Sequence, residues 1–93
     1  MHEQQLSALE VANLTRLARG AVRRGLATGA LSLTDALINP YVQSARVADV
    51  IDWVPGYGAH RTRRVLAKAS VSEYAYVQNI TERQRAVLSE WVA

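Results

Sequence analysis

With 93 residues, of which 49% are hydrophobic, the chain has enough apolar mass to bury roughly 60–70% of its unfolded surface, which excludes a disordered polycation. The absence of cysteine excludes a disulfide framework, a thiolate metal site and a thiol nucleophile, and no apolar run approaches the ~20 residues of a membrane span. The net charge of +3 combines ten arginines and one lysine with eight acids, and arginine's planar fork suits phosphate better than a lysine's point charge does. Alanine, leucine and valine abound while phenylalanine is missing, a composition that favours packed helices over a β sandwich. The expected fold class is therefore all-α, a small bundle of about five helices in a single domain over 1–93.

In chain order, the first element is a long basic helix within 1–28, read from about Glu3 to Ala27. Leu6, Leu9, Leu14, Leu17, Ala18 and Ala21 form its expected apolar stripe, and Arg16, Arg19 and Arg23 lie on the opposite side. Gly20 and Gly25 weaken it by roughly 1 kcal/mol each relative to alanine. Gly29 is the natural stop, and Ser32 with Asp35 starts a short helix, Leu33 to Ile38, whose Leu33, Ala36, Leu37 and Ile38 are expected to pack before Asn39-Pro40 ends it. Ser44 is positioned to cap the next helix. Val47, Val50, Ile51 and Val54 then recur at the spacing of one apolar helix face.

Pro55 ends that helix, and Gly56 and Gly58 bracket Tyr57, permitting backbone angles that a Cβ disfavours. The following helix runs from Ala59 to Ala69 with Val65, Leu66 and Ala69 inward; Arg61, Arg64 and Lys68 share its other side, with His60 beside Arg64. Helix, glycine hairpin and basic helix together form a phosphate-holding device: glycines let backbone amides approach an anion, a helix N-terminus supplies donors, and guanidinium groups supply charge. Asp49 and Asp52 are read as solvated or paired with arginines, and Trp53 as core. Ser70 and Glu73 have capping-box spacing, which predicts one or two helical turns through Tyr74 and Tyr76. Thr81 and Gln84 repeat that spacing ahead of a last helix, Glu82 to about Val92, with Val87, Leu88 and Trp91 inward.

The charges are segregated. Four arginines and no acid lie between Arg16 and Thr34, and three arginines, Lys68 and no acid lie between Ala59 and Ser72, a distribution that points to a basic surface.

The run Gly29-Ala30-Leu31-Ser32-Leu33, the stretch from Val47 to Leu66 centred on Trp53-Val54-Pro55-Gly56-Tyr57-Gly58, and Ile80 to Leu88 with Arg83-Gln84-Arg85 occur in an order that resembles the integration host factors of actinobacteria. The resemblance covers roughly Leu9 onward. It implies a helix-two-turns-helix module within 44–93 and duplex-DNA binding without strong sequence preference. It also implies a nucleoid-associated, architectural role, with a phage integrase or other recombinase as a further partner. Gly56 and Gly58 match that family's hairpin glycines, Arg61 stands where a basic residue is usual, and Arg16, Arg19, Arg23 and Arg24 match its basic first helix. Ala59 replaces a common lysine, and Ala75, Tyr76 and Gln78 replace arginines directed at DNA, so the family comparison implies weaker binding or a shift of the work to Arg61, Arg64 and Lys68.

The expected contact set for double-stranded DNA is accordingly Gly56, Tyr57, Gly58, His60, Arg61, Arg64 and Lys68, with Arg16, Arg19 and Arg23 on the first helix. His60 adds a donor or a pH-dependent charge there. Tyr74, Tyr76, Gln78 and Asn79 are either groove contacts or half-buried surface. Catalysis is disfavoured: His2 and His60 are too few and too far apart for a ligand cluster, and no acid pair has catalytic spacing, so no cofactor or metal is expected. The N-terminus lacks a signal peptide's basic and apolar regions, giving the expectation of a monomeric cytoplasmic protein at the nucleoid. An RNA-binding module and an adaptor for a recombinase are the alternative readings.

Overall fold

A computed structural model describes residues 7–92. Five α-helices follow one another: α1 Ala8–Thr28, α2 Leu33–Ile38, α3 Val47–Asp52, α4 Ala59–Lys68 and α5 Glu82–Trp91, with a 3-10 turn at Val77–Asn79 before the last. The fold is all-α. No helix among the described residues is long and apolar enough to cross a membrane. The expected helical start at Glu3 to Leu6, and His2, lie outside the described residues.

Most helix ends are set locally. The Ser7, Ser32 and Thr81 hydroxyls accept from the amides of Glu10, Asp35 and Gln84, and at Thr81 the Gln84 side chain returns the bond to complete a capping box. Gly29 stops α1 at φ 78°. Gly25 has a further role that its helix propensity conceals: a Cβ there would sit 2.8 Å from the Leu31 Cβ, so the chain folds back over α1 only because position 25 is bare.

The core is centred on the shortest helices. Leu37, Val42, Val47, Val50, Ile51 and Val77 are fully buried and close against Leu66 of α4 and Leu88 of α5. α2 packs on α1, α3 and α5, and α4 packs on α3 and α5. Of the residues expected inward on α2, Ile38 turns out 61% exposed.

Three sequence expectations fail for tertiary reasons. First, Ser44 does not cap α3; the helix begins after Arg46 without a side-chain cap, and the Val47 amide donates to the Ala75 carbonyl at 3.0 Å. Second, the helical turns expected through Tyr74 and Tyr76 are replaced by chain laced onto the α2–α3 connection. Val77 N–H donates to Ala45 at 2.9 Å, Gln78 N–H donates to Gln43 at 3.0 Å, and Arg46 and Tyr76 form an antiparallel bridge. Third, the apolar stripe of α1 misses the core: only Val22 and Leu26 are buried on that helix, whereas Leu9 and Leu17 are each 70% exposed. Thr15, Ala18, Arg19 and Gly20, at the level of Leu17, are half-buried, so the leucines are exposed because α1 docks by the neighbouring face that carries Val22 and Leu26.

α4 ends in a Schellman motif, with Val71 N–H on the Leu66 carbonyl and Ser70 N–H on that of Ala67. The left-handed position is held by Ser70 at φ 56°, where glycine is the unstrained residue. Ser70→Gly is expected to raise stability by about 0.5–1 kcal/mol, visible as a rise of a few degrees in thermal midpoint.

Candidate nucleic-acid interface

The connection between α3 and α4 has the signature of a type II turn: Tyr57 N–H donates to the Val54 carbonyl at 3.3 Å, Pro55 leads, and Gly56 takes φ 86°. Gly58 differs from Gly56. Its φ of −85° and ψ of 177° suit any residue, and the position a Cβ would take is open space. It is the N-cap of α4 and provides no side-chain cap, unlike Ser7, Ser32 and Thr81, which adopt similar angles. The first bond of α4 runs from Thr62 N–H to the Gly58 carbonyl at 2.9 Å, so the amides of Ala59, His60 and Arg61 have no helical acceptor. Three donors and the positive end of the helix dipole thus sit beside a bare glycine.

Tyr57 points the other way. Its ring is buried, and its hydroxyl donates to the Trp91 carbonyl at 3.2 Å, so of the hairpin residues expected at an interface it is the one whose side chain braces the turn from within. Thr62, also buried, donates to Asp52 at 2.6 Å and ties α4 to α3. Asp52 is exposed, as its helix face implied, and accepts this bond in addition.

The cationic ridge follows. The Arg61 guanidinium lies 4.4 Å from the Tyr57 ring centre and donates to the Gly56 carbonyl at 3.4 Å. The Lys68 ammonium lies 4.9 Å from the ring centre of Trp91. With Arg64 and Val65 these residues line one shallow notch. Trp91 was expected inward and is 51% exposed, because α5 ends there and its ring forms the notch wall instead of the core. His60 is exposed in the first turn. Among the described residues, the one carboxylate ion pair is Arg63 with Glu73, at 3.2 Å, so no acid neutralises Arg61, Arg64 or Lys68.

A second basic groove lies along α1, lined by Arg16, Arg19, Arg23, Ser44 and Trp53. The three arginines face the body across this groove, not away from it as the helical wheel implied. They are not equivalent. Arg19 donates to the Tyr41 carbonyl at 2.9 Å and to the Ser44 hydroxyl at 2.6 Å, which fastens the α2–α3 connection to α1. Arg23 lies 5.8 Å from the ring centre of the half-buried Trp53, and Arg16 bonds only its helix neighbour Asn13. Trp53 joins the two basic regions, since Gly56 follows it by three residues, a chain reach of about 10 Å at most.

Elsewhere the surface is mixed. Tyr74 and Tyr76 are exposed, with Arg46 at 5.7 Å from the Tyr74 ring centre, and a neighbouring notch contains Asp49, Asp52 and Glu73. Gln84 donates to the Ser70 carbonyl as well as serving the capping box, so the Arg83-Gln84-Arg85 run is in part structural. The roles of Ser44, Trp91 and Thr62 escaped sequence reading because each depends on a contact between distant segments; only the lone tryptophan near the chain end gave any signal.

The fold and site define a helical domain whose glycine hairpin presents a cationic helix. Neither a protein-family profile nor a curated protein sequence matches this chain. Its structure is similar to that of sIHF solved bound to an 8-bp palindromic DNA, with a TM-score of 0.75 and 23% identity over 85% of this chain and 93% of that one. The two share an all-helical fold.

Arg19→Ala is expected to lower stability by about 1–2 kcal/mol in denaturant titration, since it strips two partners at once. Arg16→Ala and Arg23→Ala are expected to stay within about 0.5–1 kcal/mol of the parent in the same titration.

Proposed function

We propose that this chain is a non-enzymatic, architectural duplex-DNA-binding protein of the integration-host-factor type, acting at the nucleoid, with a recombinase as a further partner in site-specific recombination. The observation that carries this reading is the uncapped N-terminus of α4 beside Gly58, next to a ridge of Arg61, Arg64 and Lys68 that no carboxylate neutralises among the described residues. Such a site offers amide donors and charge to phosphate oxygens, and phosphate contacts position a protein without reading bases, so low sequence preference follows. The arginines at the α1 groove extend the basic surface past Trp53, with Arg16 and Arg23 left to meet a second stretch of backbone. The fold shared with sIHF, which was solved bound to DNA, supports the same reading.

Neutralising about six phosphates makes log K fall with log salt at a slope on the order of −5. A binding titration at several salt concentrations checks this, and a flat response refutes duplex binding. Single alanine substitutions of Arg61, Arg64 and Lys68 are each expected to weaken binding on all sequences alike and to reduce the slope by about one. Duplex RNA and single strands as competitors separate this function from an RNA-binding one.

Gly58→Asp separates folding from binding. An aspartate at φ −85° caps α4 and is expected to add about 0.5–1 kcal/mol to stability. The same carboxylate occupies the anion position, so duplex affinity is expected to drop at least about tenfold. Thermal melting and a binding isotherm on one preparation read both effects.

A further inference from the structure

Outside the basic surface, the most conspicuous feature is the exposed face of α1 opposite the body. On it Leu17 is 70% exposed and Leu14 41%. With Ala21 these leucines make a contiguous apolar strip, the kind of exposed patch that marks an interaction surface. The sequence along one face of α1 indicates what that contact is. Glu10, Leu14, Leu17, Ala21 and Arg24 are separated by alternating steps of four and three residues, the spacing of a coiled-coil seam. This seam lies on the side of α1 opposite Arg16, Arg19 and Arg23. It continues into an apolar groove lined by Ala18, Gly25, Leu31 and Tyr41.

We propose that this face is the docking surface for a second copy of the chain, which binds through an antiparallel pairing of the two α1 helices. The charges decide both the partner and the direction. Glu10 stands at one end of the seam and Arg24 at the other, and the Arg24 Nη1 leans back to 3.4 Å from the place a Cβ on Gly20 would occupy. A parallel pair sets Glu10 against Glu10 and Arg24 against Arg24. An antiparallel pair, with its two-fold axis near Thr15 to Leu17, closes the leucines on their counterparts. It also brings Glu10 level with the partner's Gly20, where the partner's Arg24 guanidinium lies, and symmetry repeats the ion pair at the other end. The same patch therefore serves both copies, as a closed two-fold dimer requires. The N-terminal turns of each copy run along the small-residue groove of the other, so one contact covers both the leucine strip and the groove. Because Arg16, Arg19 and Arg23 lie on the other side of α1 from this seam, the pairing leaves both basic grooves uncovered.

The test is sedimentation equilibrium of the full chain without DNA, so its outcome is independent of duplex binding. The weight-average mass is expected to rise with concentration from one 10.2 kDa chain towards two. Leu17→Glu, at a position that touches no core, is expected to hold the mass at one chain while helicity and thermal midpoint stay those of the parent. Glu10→Arg and Arg24→Glu are each expected to weaken association by roughly tenfold, and the double reversal to restore it to within about threefold. A mass of one chain at every concentration overturns the proposal. Association that survives Leu17→Glu overturns the surface, and a double reversal that fails to rescue overturns the antiparallel arrangement.

Discussion

The arrangement of the hairpin depends on the inward anchoring of Tyr57. Its ring is buried and its hydroxyl is bonded to the carbonyl of Trp91, the last residue of α5. With the one large side chain of the turn held inside, the backbone of Gly56 and Gly58 on either side is left at the surface, and α4 starts with its amide donors outward. The hairpin would otherwise be a simple connection between two helices. The bond from Thr62 to Asp52 acts in the same sense from the next turn, fixing α4 against α3 so that the ridge on its outer side keeps its direction.

The basic side chains divide into two kinds. Arg19 works inside the molecule, holding the α2–α3 connection by two bonds, and Arg63 is paired with Glu73. Arg61 and Lys68 are organised by aromatic rings, Tyr57 and Trp91, which orient a cation while leaving its charge available. Aromatic support in place of carboxylate pairing is what a surface proposed to attract phosphates requires, since an ion pair would consume the charge that the ring leaves exposed.

Folding and the proposed function conflict at the start of α4. The other two well-capped helices in the body, α2 and α5, show that this chain commands serine and threonine caps. At Gly58 it forgoes one, although the backbone angles there suit it. The cost to the helix is a few tenths of a kcal/mol, small beside what charge-assisted bonds from the free amides and Arg61 to a phosphate would return under the proposed function.

The sequence by itself determined the helical class, the bounds of α2, α4 and α5, and the hairpin, because each rests on short-range chemistry: caps three residues apart, a proline, a glycine required at positive φ, and apolar spacing within one helix. It also placed Arg61, Arg64 and Lys68 on one side of α4, since a helical wheel is rigid over ten residues. Only the tertiary structure decided which face of α1 meets the core, since its apolar residues spread over more than one face and packing selected the one with Val22 and Leu26. Tertiary contacts also decided that 75–78 would lace onto 43–47 in place of forming a helix, and that Ser44 would accept from Arg19 in place of capping α3. Those outcomes join segments 25 to 35 residues apart in the chain, and local propensity carries no information about which distant carbonyl an amide will find.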